Sequence, residues 1–267
     1  MWKGKNVTVF VTGGIAAYKV ATLVRLFIKE EAKVSVAMTK SACEFITPLT
    51  FQVLTKNKVY LDTFDEDEAN KVQHIHLADQ TDVAIVVPAT ANTIAKMANG
   101  IADNFVTSTL LATTAPIYVV PAMNEHMWEN PATVRNVKQL VEDGKVVIEP
   151  ATGFLAEGYD GKGRLPEPEE IFEQVTFFES RREYKSPLEG KTILITAGGT
   201  KERIDPVRYI SNDSSGKMGY ALAKAASILG AKVQLVSTTK QLKVPYGVQV
   251  TYVESALEMH DAVTQLF

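Results

Sequence analysis

The chain has 267 residues, 46% of them apolar and 22% charged, with 28 basic and 31 acidic groups giving a formal charge of -3. That length allows one large domain or two smaller ones with a core that needs no covalent staples. The mild acidity argues against nucleic acid as a partner, and a single cysteine, Cys43, excludes a disulfide framework and a multi-thiolate zinc site while fitting a reducing compartment.

The amino terminus runs directly into a short apolar strand, without a signal-peptide core, so a cytoplasmic protein is expected. Residues 7–11 form a β-branched run ending in Gly13-Gly14, followed by an apolar-periodic helix over 16–30 and a strand at 34–38. Residues 83–87 and 117–120 are unbroken apolar runs, as expected of strands buried on both faces of a parallel sheet, and helical patterns cover 91–99, 103–113 and 131–142. The uncharged stretch 104–124 is long enough for a bilayer. Its threonines with Pro116 and Pro121 divide it into a helix, a break and a strand, and no membrane association is expected.

This alternation predicts a doubly wound, Rossmann-like α/β domain over residues 1–182, with ligands outside the carboxyl ends of its strands. A polar linker is expected at 183–190. The opening pattern then recurs: Thr192-Ile193-Leu194-Ile195-Thr196-Ala197-Gly198-Gly199 echoes Val9-Phe10-Val11-Thr12-Gly13-Gly14. Residues 191–267 are therefore expected to be the first part of a second Rossmann-like domain, the chain stopping inside a helical pattern at Phe267.

A strand entering Gly-Gly and then a helix suits an anion, because the backbone can approach closely and the helix N-terminus supplies N–H donors. Gly pairs also serve tight strand–helix turns. Neither pair extends to G-x-G-x-x-G, and the second strand ends in Met38-Thr39 rather than the acidic residue that holds an adenosine ribose. Residues 211–218 fail as a phosphate loop, with Ser211 in place of the first glycine and Met218 after Lys217. A nicotinamide-dependent oxidoreductase and a P-loop NTPase are both disfavoured.

Four further motifs carry a resemblance. Gly13-Gly14-Ile15-Ala16-Ala17-Tyr18-Lys19, Gln73-His74-Ile75-His76-Leu77, Pro88-Ala89-Thr90-Ala91-Asn92-Thr93 and Pro121-Ala122-Met123-Asn124-Glu125-His126-Met127-Trp128 resemble those of the flavin-containing cysteine decarboxylases. The stretches 205–212 and 214–219 resemble phosphopantothenate–cysteine ligase, and the order of the two matches the bifunctional decarboxylase–ligase family of coenzyme A biosynthesis.

The resemblance implies FMN, cradled by Gly14, Ile15, Thr39, Thr90, Asn92 and Thr93, and a small-molecule substrate, phosphopantothenoylcysteine. In the family the flavin oxidises the cysteine side chain to a thioaldehyde, an electron sink that releases carbon dioxide, and the resulting enethiolate is reduced again. His74 takes the place of the active-site histidine; an unperturbed imidazole titrates at about 6.5, which suits proton transfer at neutral pH. His76 would share its face in an extended segment. Asn124 would donate to the substrate carboxylate without adding a charge, and Met127, Gly153 and Arg164 would bound the substrate. Bland readings stand beside these: Thr or Asn capping at 90–93, a structural histidine, and an N-cap at Asn124.

The Gly-rich loop 153–164 resembles the family's substrate-covering flap but carries Glu157 where many members have a proton-donating cysteine. Glu157, or a water, would supply that proton; alternatively the protein is a flavin-binding regulator or scaffold, or a peptidyl-cysteine decarboxylase. In the ligase-like part, Gly198, Gly199, Asn212 and Lys217 would surround CTP with magnesium, although independent ligase activity is not expected of this chain. No protein-bound metal site is expected. The resemblance further implies a homo-oligomer, a trimer of the flavin domain with FMN at subunit interfaces.

Overall fold

The unbroken apolar runs become the centre of a parallel sheet. The computed structural model describes residues 1–64, 72–156 and 158–267, and the chain divides into two compact units, Met1–Phe172 and Glu173–Phe267.

In the first unit β1 (Asn6–Val11) leads through a 3-10 turn, Ile15–Lys19, into α1 (Val20–Lys29) and then β2 (Lys33–Met38). There follow α2 (Lys40–Cys43), α3 (Pro48–Thr55), β3 (Val59–Tyr60), α4 (Gln73–Gln80), β4 (Val83–Ala89), α5 (Ala91–Ala98) and α6 (Phe105–Ala112). Next come β5 (Ile117–Pro121), α7 (Glu125–Glu129), α8 (Pro131–Glu142) and β6 (Val146–Val147). The sheet has the order β3-β2-β1-β4-β5-β6, all parallel, and every residue of β4 and β5 is buried. Phe10, Val86 and Val119 of the sheet pack with Ile94 of α5, Phe105 of α6 and Leu140 of α8, each buried side chain contributing roughly 1.5–3 kcal/mol of transfer energy. Strand order reverses between β1 and β4, which opens the crevice where such sheets bind ligands.

Three local expectations change. The segment holding His74 and His76 is helical, α4, rather than extended. The Gly-rich loop is an antiparallel hairpin of β7 (Ala151–Phe154) and β8 (Asp160–Arg164); its glycines hide the strand alternation. Glu183 and Tyr184, expected to open the linker, form the end of α9 (Pro168–Tyr184), the helix within which the division between the two units falls.

The second unit contains β9 (Thr192–Ala197), a short antiparallel pair of β10 (Glu202–Arg203) and β11 (Tyr209–Ile210), α10 (Lys217–Ile228), β12 (Lys232–Ser237), β13 (Val248–Tyr252) and α11 (Ala256–Leu266). Its parallel sheet has the order β13-β12-β9 and packs on α10 through Tyr220, Ala223, Val233 and Leu235. Among the described residues no helix is long and apolar enough to cross a membrane.

Candidate active site

The two glycines after β1 do different jobs. A Cβ on Gly13 would lie 2.4 Å from Ser41 Cβ, so this position lets the loops after β1 and β2 touch. A Cβ on Gly14 would meet nothing closer than Pro88 Cγ at 3.7 Å, which leaves its extended backbone open to a ligand. Buried Thr12 ties this loop to β4: its hydroxyl donates to the Pro88 carbonyl and accepts from the Thr90 N–H at 3.1 Å.

Two helix N-termini meet the same crevice. Thr39 caps α2, accepting from Ala42 N–H at 3.2 Å, and Thr90 caps α5, accepting from Thr93 N–H at 3.3 Å. With Gly13, Ser41, Asn92, Thr93, Lys96, Leu61 and Phe105 they bound a cavity of about 530 Å³, within the range of small-molecule sites. Hydroxyls, helix-first-turn amides and the ammonium groups of Lys40 and Lys96, which pair with Asp62 and Asp103, suit a phosphate, and Phe105 with Leu61 suits an apolar ring system, so the residues present fit a mononucleotide such as FMN. Ile15 beside the loop is 60% exposed.

His74 stands one ring behind this wall. Its imidazole is edge-on to Phe105, and its Nδ1 is buried without a hydrogen-bond partner among the described residues. A buried polar atom left so is costly and is kept where it has work to do. His76 does not share that face, because residues two apart on a helix point about 200° away from each other.

Asn124 lies elsewhere, as the N-cap of α7: its Oδ1 accepts from His126 N–H at 2.9 Å. The capping reading therefore holds, and it leaves the Nδ2 free to turn outward, where it donates to Tyr159 Oη at 2.8 Å. Met127, nearby on α7, is 48% exposed. The hairpin docks on this turn: Met123 N–H donates to the Gly163 carbonyl at 3.0 Å, and Lys162 N–H to Glu125 Oε1 at 2.8 Å. Gly153 lies against Arg164, whose guanidinium pairs with Glu167 at 2.6 Å, and Lys19 reaches the same carboxylate at 2.9 Å. The Lys19 hydrogen bond, helped by the charges of Lys19 and Arg164, holds the Glu167 carboxyl below the usual range. Of the expected residues, Thr39, Thr90, Asn92 and Thr93 line the 530 Å³ cavity, whereas Gly14, Ile15, His74, Asn124, Met127, Gly153 and Arg164 do not. Glu157 lies outside the described residues.

Several site residues gave no sequence signal. Lys96, paired with Asp103 at 2.6 Å, lines the cavity, as do Ser41 and Phe105; Tyr159 and Lys19 hold the hairpin side. Lys96 keeps the Asp103 carboxyl low by its hydrogen bond. Cys43 proves half-buried at the end of α2, its Sγ 3.6 Å from the Thr39 carbonyl, and burial followed by the charge of Glu44 pushes its thiol up.

In the second unit a cavity of about 790 Å³ is lined by Gly199, Asn212, Ser214, Lys217, Thr238 and Lys240, among others. Gly198 has a φ of +94°, and a Cβ there would lie 2.2 Å from Thr238 Oγ1; one on Gly199 would lie 2.4 Å from Asn212 Oδ1. Asn212 in turn accepts from Ser214 N–H at 3.0 Å, which fixes the loop. Lys201, Arg203, Lys217 and Lys240 line this cavity together with Glu254 and Glu258, and Arg203 pairs with Glu254. Among the described residues, no group of three or more His, Cys, Asp or Glu is placed to hold a metal ion.

Residues 1–178 match the model of the flavoprotein family, and the chain belongs to that family. Residues 188–267 match the DNA/pantothenate metabolism flavoprotein C-terminal domain. Along its length the chain is 50% identical to the coenzyme A biosynthesis bifunctional protein CoaBC of Bacillus subtilis (strain 168), over 100% of this chain and 66% of the relative. The CoaBC of Vibrio parahaemolyticus is 47% identical over 97% of this chain and 64% of the relative. The chain thus spans somewhat under two thirds of these relatives, 66% and 64% of their lengths. Among solved structures, a PPC decarboxylase mutant complexed with pantothenoylaminoethenethiol is similar, with 34% identity and a TM-score of 0.60 over 66% of this chain and 99% of that one. The FMN binding protein AtHal3 is 35% identical, with a TM-score of 0.58 over 66% of this chain and 97% of that one.

Proposed function

We propose that the first unit is an FMN-dependent decarboxylase converting phosphopantothenoylcysteine to phosphopantetheine in coenzyme A biosynthesis. The observation that carries the reading is the meeting of the capped N-termini of α2 and α5 around one cavity, with the buried, unpartnered Nδ1 of His74 behind its Phe105 wall. The solved relative holding pantothenoylaminoethenethiol supports the substrate class, and the CoaBC relatives support the pathway.

In this reading Gly14, Thr39, Thr90, Asn92 and Thr93 hold the phosphate end of FMN and Ile15 covers its ring. Bound flavin supplies the two-electron oxidation and later reduction of the cysteinyl side chain that make loss of the carboxylate possible. His74 takes the proton released by the substrate. Asn124 donates its amide to the carboxylate, which a cation would hold in place by charge. Met127, Gly153 and Arg164 exclude water on the hairpin side, and Glu157 returns the proton that a thiol supplies elsewhere. The family resemblance implies that the site is completed between copies of the chain, in a homotrimer of the flavin unit. The basic cavity of the second unit, with Gly198, Gly199, Asn212 and Lys217, holds CTP and magnesium for the ligase half of the complete protein. The setting is cytoplasmic.

Purified protein should show visible flavin absorbance and turn over phosphopantothenoylcysteine, with turnover lost and flavin kept in His74→Asn. Flavin binding without turnover would favour the regulator or scaffold, a reading motivated by the lack of a cysteine in the hairpin.

A further inference from the structure

The hairpin touches Asn124 through a single described side chain, Tyr159, at its tip. We infer that Tyr159 is a positioning residue for the reaction: its hydroxyl fixes the Asn124 amide so that the hairpin's docking and the orientation of the carboxylate-binding group are one event. The inference rests on the decarboxylase reading above.

Three observations support it. First, Asn124 is held at both ends, Oδ1 by the His126 N–H and Nδ2 by Tyr159 Oη; the backbone N–H can only donate, so it fixes which end of the amide faces Tyr159. A primary amide has two N–H groups, so one stays available to a carboxylate. Second, the bond is set by the backbone beneath it. A Cβ at Gly161 would lie 2.9 Å from Glu125 Oε2, and one at Gly163 would lie 2.1 Å from the Met123 carbonyl, so β8 lies directly on the 123–125 turn. Third, Tyr159 Oη is the acceptor in this bond, and its own proton remains to be donated, so the phenol adds polarity at the carboxylate site without adding charge.

The test uses the flavin-loaded full chain as Tyr159→Phe, Asn124→Ala and the double variant. It reads kcat and KM for phosphopantothenoylcysteine, and hydrogen exchange of peptides covering the hairpin and α7. Loss of one such hydrogen bond predicts a fall of about tenfold in kcat for Tyr159→Phe, with KM within about twofold, since the aromatic ring stays to pack. Asn124→Ala should fall further, and the double variant should be no worse than Asn124→Ala alone. Hairpin exchange should speed up equally in both single variants and in the double. An unchanged kcat in Tyr159→Phe, a rise confined to KM, or effects that multiply would overturn the assignment. Flavin binding without turnover in the unaltered protein would instead sink the decarboxylase reading; unequal exchange in the two single variants would then also refute the Tyr159–Asn124 link.

Discussion

His74 lies edge-on to Phe105, with ring centroids 6.4 Å apart at 85°, and its Nδ1 is buried without a partner among the described residues. Phe105 lines the candidate flavin cavity, so the histidine is held against it at the cost of an unsatisfied polar atom, about 1–3 kcal/mol. Replacing it with an apolar side chain should relieve that cost. His74→Leu is expected to melt no lower than the unaltered protein while losing at least about a hundredfold in turnover. A fall in Tm together with retained activity would show a structural histidine.

The glycine pair separates structure from binding. Gly13→Ala places a Cβ 2.4 Å from Ser41 Cβ and should destabilise the first unit by about 1–3 kcal/mol, seen as a lowered Tm. Gly14→Ala makes only ordinary contacts, with Pro88 Cγ at 3.7 Å and Thr90 Cγ2 at 3.9 Å, on a backbone that alanine adopts readily, so its Tm should stay the same while FMN affinity falls. Calorimetric titration of FMN into the two apoproteins checks both. Unchanged FMN affinity in Gly14→Ala would remove Gly14 from the phosphate site.

Glu167 predicts a pH signature. Its folded-state pKa is depressed, first by the Lys19 hydrogen bond, so its contribution to stability is present above the unfolded value of about 4.3 and is lost as pH falls through the folded value. Glu167→Gln should therefore lower the Tm at pH 7, and the gap should close as pH falls below the ordinary carboxylate range and through the depressed folded value. The carboxylate is half-exposed, so the effect should stay under about 1 kcal/mol. A gap independent of pH would assign the loss to packing.

Glu157 is the proton donor in the proposed reaction. Glu157→Cys should keep turnover, whereas Glu157→Gln should lose about a hundredfold in product formation. Equal rates in the glutamine variant and the unaltered protein would assign the proton to water.

The sheet was legible because buried parallel strands must be continuously apolar: 83–87 and 117–120 stand out for that reason, and the Gly-Gly turns mark where β1 and β9 end. Thr39 and Thr90 were legible too, since capping and anion binding draw on the same residue types. The hairpin was not. Gly161 and Gly163 answer to Glu125 and Met123, residues far away in sequence, and glycine carries no alternation to read. Nor was the helix at His74, which has no side-chain cap to announce it. Lys96 and Phe105 reach the cavity only through the packing of α5 and α6, which no local spacing encodes.

The central claim is tested by mixing the FMN-loaded chain with phosphopantothenoylcysteine and following released carbon dioxide and phosphopantetheine by mass spectrometry, with His74→Asn in parallel. Stoichiometric formation of both products by the unaltered chain, with none from the flavin-bound variant, is the predicted result. Unchanged substrate in the presence of fully bound flavin would contradict it.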